Sequence, residues 1–72
     1  MAEFTFEIKE HFGDLMKKPD GWTKEINLVS WNGGDDRFDI REWAPDHRKM
    51  SRGITLTASE MHRLVKAMES RV

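Results

Sequence analysis

Apolar and polar residues alternate in four short segments of this 72-residue chain. Residues 4–9 alternate with the period of a half-buried β-strand, and we predict a first strand that ends near residue 11 or 12. The same period recurs in residues 22–31, 37–43 and 52–56. The pattern therefore predicts four strands.

Turn-forming residues separate the predicted strands. Pro19-Asp20-Gly21 is a strong turn signal, and we place the preceding Lys17-Lys18 pair in a flexible loop. Asn32-Gly33-Gly34 predicts a tight hairpin, because Asn and Gly adopt a positive φ at little cost. Pro45-Asp46 opens a basic loop before the last strand.

The third predicted strand has two chemically different faces, because successive side chains point to opposite sides of a sheet. Phe38 and Ile40 are expected on a buried face, and the last strand is expected to bury Ile54 and Leu56. The opposite face carries a polar and aromatic stripe, which Trp31 can join across the hairpin: Arg37, Asp39, Arg41 and Trp43.

A helix is predicted after the last strand. Thr57 and Glu60 have the spacing of a capping box, in which each side chain hydrogen-bonds the other residue's backbone N–H. One apolar stripe follows, suited to a core or to a subunit contact: Met61, Leu64, Val65 and Met68. The predicted fold class is therefore α+β, with a four-stranded sheet followed by one C-terminal helix.

The length allows one domain over residues 1–72, and such a short chain buries only about 60% of the surface it exposes when unfolded. Small domains often add disulfides, a metal or a partner subunit. This chain has no Cys, and His11, His47 and His62 show no metal-ligand spacing, so we expect no metal. Oligomerisation remains, and we expect a homodimer.

Nothing in the sequence predicts export or membrane insertion. No apolar run approaches the roughly 18 residues of a membrane span. The first six residues lack a basic region and an apolar stretch, so we expect no signal peptide. The lack of Cys fits a reducing compartment, and the expected location is cytoplasmic, with association with a bacterial nucleoid as one form of it.

The three tryptophans lie among lysines and arginines on predicted strands. An indole on a strand can stack on an unpaired base while a neighbouring cation meets the phosphate. The net charge of −1 argues against coating duplex DNA by bulk electrostatics alone. The pattern favours a binding surface for a single strand.

The segment 24–68 resembles the single-stranded-DNA-binding domain of the transcriptional positive cofactor four family, in particular its small bacterial members. The matching landmarks are Val29-Ser30-Trp31, Asp39-Ile40-Arg41-Glu42-Trp43, and Arg52-Gly53-Ile54-Thr55-Leu56 before the helix. The resemblance implies a curved antiparallel sheet, a homodimer and a coactivator-like role in binding single-stranded DNA. Asp35 and Asp36 depart from it, because eukaryotic members tend to be basic there.

The residues expected to bind nucleic acid include two stacking indoles, Trp31 and Trp43. Trp22 is expected to stack or to support the adjacent turn, and Asn27 to hydrogen-bond a base edge. The expected phosphate contacts are Lys24, Arg37, Arg41, Lys49 and Arg52.

Three other functions compete with this one. The same surface fits single-stranded RNA, because stacking does not distinguish the sugars, or a protein partner, because Trp and Arg are enriched at interfaces. Catalysis is not expected: Asp39 and Glu42 face opposite sides of a strand, and His62 has no evident nucleophile partner. We accordingly expect no cofactor and no small-molecule substrate.

Overall fold

The computed structural model describes residues 4–71. The elements are β1 (Phe6–Lys17), β2 (Thr23–Trp31), β3 (Asp36–Trp43), β4 (Met50–Leu56) and α1 (Ala58–Met68). Neighbouring strands pair antiparallel in the order β1-β2-β3-β4. The predicted α+β fold, a four-stranded sheet followed by one helix, is confirmed. The domain expected over residues 1–72 extends beyond the described residues. The first six residues, where no signal peptide is expected, also lie partly outside them.

The hairpin between β2 and β3 closes as its sequence predicts. The Gly34 N–H donates to the Trp31 carbonyl over 2.9 Å. Asn32 and Gly33 between them have φ values of 53° and 71°. Two consecutive positive φ values are typical of a type I′ turn, whose twist matches that of the strands it joins.

The first strand is longer than predicted. It continues to Lys17 instead of ending near residue 12, and it includes Lys17 itself, which was assigned to a flexible loop. Its pairing with β2 shifts register three times, between Ile8 and Glu10, between His11 and Gly13, and after Asp14. Each irregularity interrupts the alternation of side chains, so the second half of β1 lacks the period from which strands are recognised.

Lys18 is held in place at the end of β1. Its ammonium group lies 2.9 Å from a carboxylate oxygen of Glu42. The hydrogen bond and the charge of Glu42 raise the pKa of Lys18 above its ordinary value. The expectation of a flexible Lys17-Lys18 loop was therefore wrong.

One face of the sheet is apolar, and we call it the apolar face: Ile26, Leu28, Phe38, Ile40, Ile54 and Leu56. Phe38 and Ile40 share it, as predicted, but they are only half-buried, and Ile54 is 55% exposed. The predicted burial of this face was thus only partly right. A single 11-residue helix, which contacts β3 and β4, is too short to cover four strands.

The sheet curves strongly toward its other face, which we call the concave face. Trp43 pairs with Thr23, which lies eight residues before Trp31 on β2. A flat strand would separate those positions by about 26 Å. The Trp31 and Trp43 rings nevertheless stack with centroids 6.4 Å apart. The stripe predicted to be open therefore lies inside the curve, and Asp39 and Trp43 are fully buried.

The helix begins with the predicted capping box. The Thr57 hydroxyl accepts from the Glu60 N–H, and the Glu60 carboxylate accepts from the Thr57 N–H. Of the predicted apolar stripe, only Met61 is buried. The other three side chains are exposed: Leu64, Val65 and Met68. Within the described residues, no helix is long and apolar enough to cross a membrane.

Candidate nucleic-acid interface

Five aromatic rings meet on the concave face and form what we call the aromatic cluster: Phe4, Phe6, Trp31, Trp43 and His47. Trp43 lies at its centre, with ring centroids 5.1 Å from Phe6 and 5.7 Å from His47. Its side chain has no exposed surface, so a base cannot reach its ring in this conformation. Trp43 is therefore not proposed as a residue that stacks directly on a base. The curvature that buries Trp43 cannot be recognised from a strand pattern.

Trp31 and Phe4 form the accessible edge of the aromatic cluster. Trp31 is half-buried, and Phe4 is 64% exposed. Their ring centroids are 5.8 Å apart. The alternation of residues 4–9 had marked Phe4 only as a strand residue. Phe4 is held beside Trp31 through its neighbour Thr5, whose backbone N–H donates a hydrogen bond to the Asn32 side chain.

Both indole N–H groups of the aromatic cluster lack a hydrogen-bond partner among residues 4–71. The Nε1 atoms of Trp31 and Trp43 are buried, and no acceptor among the described residues lies within hydrogen-bond distance. A buried donor without an acceptor costs about 1–3 kcal/mol. An acceptor-rich ligand or a water that reaches these atoms removes that cost.

Arg41 holds Trp31 from the neighbouring strand. Its guanidinium carbon lies 4.5 Å from the centroid of the Trp31 ring. Two of its nitrogens donate to Asp39 over 2.6 and 2.7 Å, and the Thr55 hydroxyl donates to the same carboxylate over 3.0 Å. Because Asp39 neutralises the guanidinium, Arg41 is better suited to position the indole than to bind the phosphate it was expected to contact.

Asn27 was expected to read a base edge, and the structure does not support this role. Its side chain is fully buried. The amide nitrogen donates to Glu25 over 3.1 Å, and the amide oxygen lies 2.6 Å from Nδ1 of His11. Both ends of the amide are thus occupied within the chain.

A buried carboxylate, Glu25, lies beside the aromatic cluster and was not predicted. It is 3% exposed, and His47 Nε2 lies 2.9 Å from one of its oxygens. Burial by itself raises the pKa of Glu25, but hydrogen bonds with Thr23, Asn27 and His47 outweigh it, and the pKa lies below its ordinary value. Glu25 and its histidine partners are far apart in sequence, so no spacing pattern signals their meeting.

The remaining predicted site residues do not all share this face. Lys24 alternates with Glu25 along β2 and therefore points to the apolar side of the sheet. Trp22 precedes β2, where its backbone N–H donates to the Asp20 carboxylate over 3.0 Å. Lys49 and Arg52 are exposed at the end of the β3–β4 connection and in β4. Arg37 is half-buried near the β2–β3 hairpin.

A curved antiparallel sheet with an aromatic concave face, followed by one helix, defines the class of this protein as a small α+β domain. The family model described as Transcriptional Coactivator p15 (PC4) matches residues 18–67. The chain belongs to this family, and the resemblance stated from the sequence is confirmed. It is a non-enzymatic family of nucleic-acid-binding domains.

The chain also has a bacterial relative. An uncharacterized protein of Treponema pallidum (strain Nichols) is 41% identical over 59 residues, which cover 82% of this chain and 69% of that protein. The matched family segment begins at residue 18, after the end of β1. The first strand therefore lies outside the part of the chain that the family model describes.

Proposed function

We propose that this protein binds single-stranded DNA as a homodimer, without catalysis and with little dependence on base sequence. The observation that carries the proposal is the half-buried indole of Trp31 at the edge of the aromatic cluster, held by Arg41 and packed on Trp43. A rigid aromatic platform of this kind can stack on any base, because every base has a π-face. Trp43 supports the platform from within.

Phosphate binding is assigned to cations that can reach the strand. In the part of the chain that the structure describes, no carboxylate lies within 4.0 Å of Lys49 or Arg52. The Arg37 guanidinium lies 3.9 Å from the carboxylate of the exposed Asp35, and such a surface ion pair is weak. These three residues are the proposed phosphate contacts. Lys24 is left outside this path because it points to the other side of the sheet, whereas Arg52 lies in the register shift between the partners of Arg41 and Trp43, where the alternation is interrupted.

Trp22 is assigned to the turn between β1 and β2. It takes part in none of the aromatic contacts found among residues 4–71. Its backbone is fixed by Asp20, and Gly21 beside it has a φ of 94°. A side chain in this position shapes the turn without adding to the stacking platform.

The homodimer is supported by the apolar surface that one subunit leaves open. The buried hydrophobic residues of the described chain are few: Val29, Trp43, Ala44 and Met61. Ile54 on the apolar face and Val65 and Met68 on the helix are about half exposed. A second copy of the chain would bury this surface by a two-fold contact, and the small net charge opposes such a contact little.

A competition experiment tests the proposed ligand. Single-stranded DNA, duplex DNA and RNA of equal length compete for the protein, and tryptophan quenching reports binding. We expect single-stranded DNA to bind more tightly than duplex, because paired bases hide their faces. Equal affinity for single strand and duplex would refute stacking, and tighter binding of RNA would assign the platform to RNA. No binding of any nucleic acid would favour a protein partner instead.

The salt dependence tests the phosphate contacts. Each phosphate neutralised on a single strand contributes about 0.7 to the slope of log affinity against log salt. Arg52→Ala should lower the slope by about that amount for each phosphate that the variant leaves unneutralised. Arg63→Ala is the matched control, because it removes an exposed guanidinium from the helix. An unchanged slope for Arg52→Ala, or an equal decrease in both variants, would remove Arg52 from the proposed path.

The cytoplasmic location stays a prediction from the sequence.

A further inference from the structure

The irregular pairing of β1 places two polar side chains side by side. His11 pairs with Asn27 and Asp14 pairs with Glu25, although in a regular strand residues three apart point to opposite faces. The register shift between His11 and Gly13 brings both side chains to the concave face. Bulges commonly redirect a side chain in this way.

These two side chains converge on the buried Glu25. One ring nitrogen of His11 and one carboxylate oxygen each of Asp14 and Glu25 lie within 4.8 Å of one another. His11 Nε2 is 3.1 Å from Asp14, and His11 Nδ1 is 3.5 Å from Glu25. These two distances involve different ring nitrogens, and Nδ1 also lies 2.6 Å from the Asn27 amide oxygen, so binding an ion requires the imidazole to turn one nitrogen toward both carboxylates. Ligand atoms about 2.0–2.1 Å from a tetrahedral ion are roughly 3.3 Å apart.

We propose that His11, Asp14 and Glu25 bind a divalent transition-metal ion of the Zn²⁺ type, linking β1 to β2. One imidazole and two carboxylates suit Zn²⁺, whereas Mg²⁺ prefers oxygen ligands and keeps its water. Three protein ligands leave a further position for water. A groove of about 570 Å³, lined by all three residues, gives the ion a path from solvent.

The charge balance of the groove supports a cation. Glu25 is almost fully buried, and within residues 4–71 no Lys or Arg nitrogen lies within 4.0 Å of Glu25 or Asp14. Their charged contacts are histidines alone. A buried charge is normally paired or bound to a metal. Glu25 also accepts hydrogen bonds from Thr23 and Asn27, but these groups carry no charge, so the two carboxylates still provide excess negative charge for a divalent ion.

His47 supports the proposed metal site through its contact with Glu25. It lies 2.9 Å from Oε2, whereas His11 approaches Oε1. A partner that hydrogen-bonds a ligating carboxylate fixes its orientation, and loss of such a partner typically weakens metal binding about 10- to 100-fold. His47 also stacks on Trp43, which places the ion close to a natural fluorescent probe.

Two of the three proposed ligands lie outside the segment that the family model matches, and Glu25 lies inside it. His11 and Asp14 precede the matched segment, which begins at residue 18. Both side chains are about half exposed, at 49% and 52% for His11 and Asp14, so they can be replaced without opening the interior. Glu25 is unsuited to a first test because its replacement disturbs a buried network.

The test is calorimetric titration of the untagged full-length protein with Zn²⁺, with Mg²⁺ as the comparison ion. We expect one Zn²⁺ per chain, no heat of binding for Mg²⁺, and a rise in the melting temperature that follows Zn²⁺ concentration. His11→Ala and Asp14→Asn should each weaken Zn²⁺ binding at least tenfold. His47→Gln should weaken it about tenfold.

His62→Ala serves as the control, because it removes an exposed helix histidine far along the chain from the cluster. It should leave Zn²⁺ binding unchanged, and unchanged circular dichroism should establish that each variant is folded. Absence of Zn²⁺ binding would overturn the proposal. So would binding that survives both His11→Ala and Asp14→Asn, or that is lost equally with His62→Ala. None of these results depends on DNA binding.

Discussion

Replacing Arg41 by Met should destabilise the protein severely, because it leaves the Asp39 carboxylate buried without a cation. Asp39 is fully buried and accepts both of the short Arg41 hydrogen bonds. Its other hydrogen bond comes from the Thr55 hydroxyl, which carries no charge. Methionine preserves most of the aliphatic volume of the arginine stem, so the perturbation is chiefly electrostatic.

The magnitude can be estimated from the burial of the pair. Only 14% of the Arg41 side chain is exposed, and breaking a buried ion pair by removing one partner costs about 3–5 kcal/mol. Removing the cation–π interaction with Trp31 adds about 1 kcal/mol. A 72-residue protein has a total unfolding free energy of about 4–11 kcal/mol, so a loss of about 4–6 kcal/mol removes a large share of the stability.

Urea denaturation followed by circular dichroism, at a fixed protein concentration, measures the destabilisation. The double variant Arg41→Met with Asp39→Leu should recover most of it, because removing both charges abolishes the uncompensated carboxylate. Glu69→Gln is the control, since it breaks the exposed Lys66–Glu69 pair and should have little effect. A destabilisation by Arg41→Met as small as that by Glu69→Gln, or no recovery in the double variant, would refute the assignment of a buried ion pair.

Three further predictions concern the sheet, the helix and the subunit contact. Gly53→Ala should cost about 1–3 kcal/mol in urea denaturation, because a Cβ at residue 53 would clash with the Ile40 carbonyl oxygen. Gly13→Ala should cost less, because the space around Gly13 is open. Thr57→Ala should lower the unfolding free energy by about 1 kcal/mol through loss of the helix cap, and an unchanged value would contradict the capping role. Val65→Asp should convert a dimer into a monomer in sedimentation velocity at micromolar concentration; a wild-type monomer, or an unaffected dimer, would contradict the proposed contact.

Local sequence signals predicted the parts of this fold that depend on near neighbours. The capping residues Thr57 and Glu60 are three apart, and the Asn32-Gly33 turn depends on the φ preferences of two adjacent residues. Phe38 and Ile40 share a face because a strand alternates regularly. In each case the physical cause lies within a few residues, so the sequence displays it.

The unpredicted features depend on the curvature and irregularity of the sheet. The bulges of β1 interrupt the alternation of apolar and polar residues, so the predicted strand stopped short of Lys17. The bend of the sheet buries Trp43 and closes Asn27 against Glu25, although a flat strand would have exposed both. Curvature results from the pairing of whole strands, so single-strand patterns do not contain it.

We propose that the indole of Trp31 receives an unpaired base, and the variant Trp31→Ala removes that indole. Fluorescence anisotropy of a labelled oligo-dT measures affinity, with circular dichroism to establish folding and Trp22→Ala as the control indole outside the aromatic cluster. Loss of one stacked base costs about 1–3 kcal/mol, so Trp31→Ala should weaken binding about 5- to 150-fold. Trp22→Ala should leave the affinity close to that of the wild type. Unchanged affinity in a folded Trp31→Ala protein, or equal weakening in both variants, would contradict the claim.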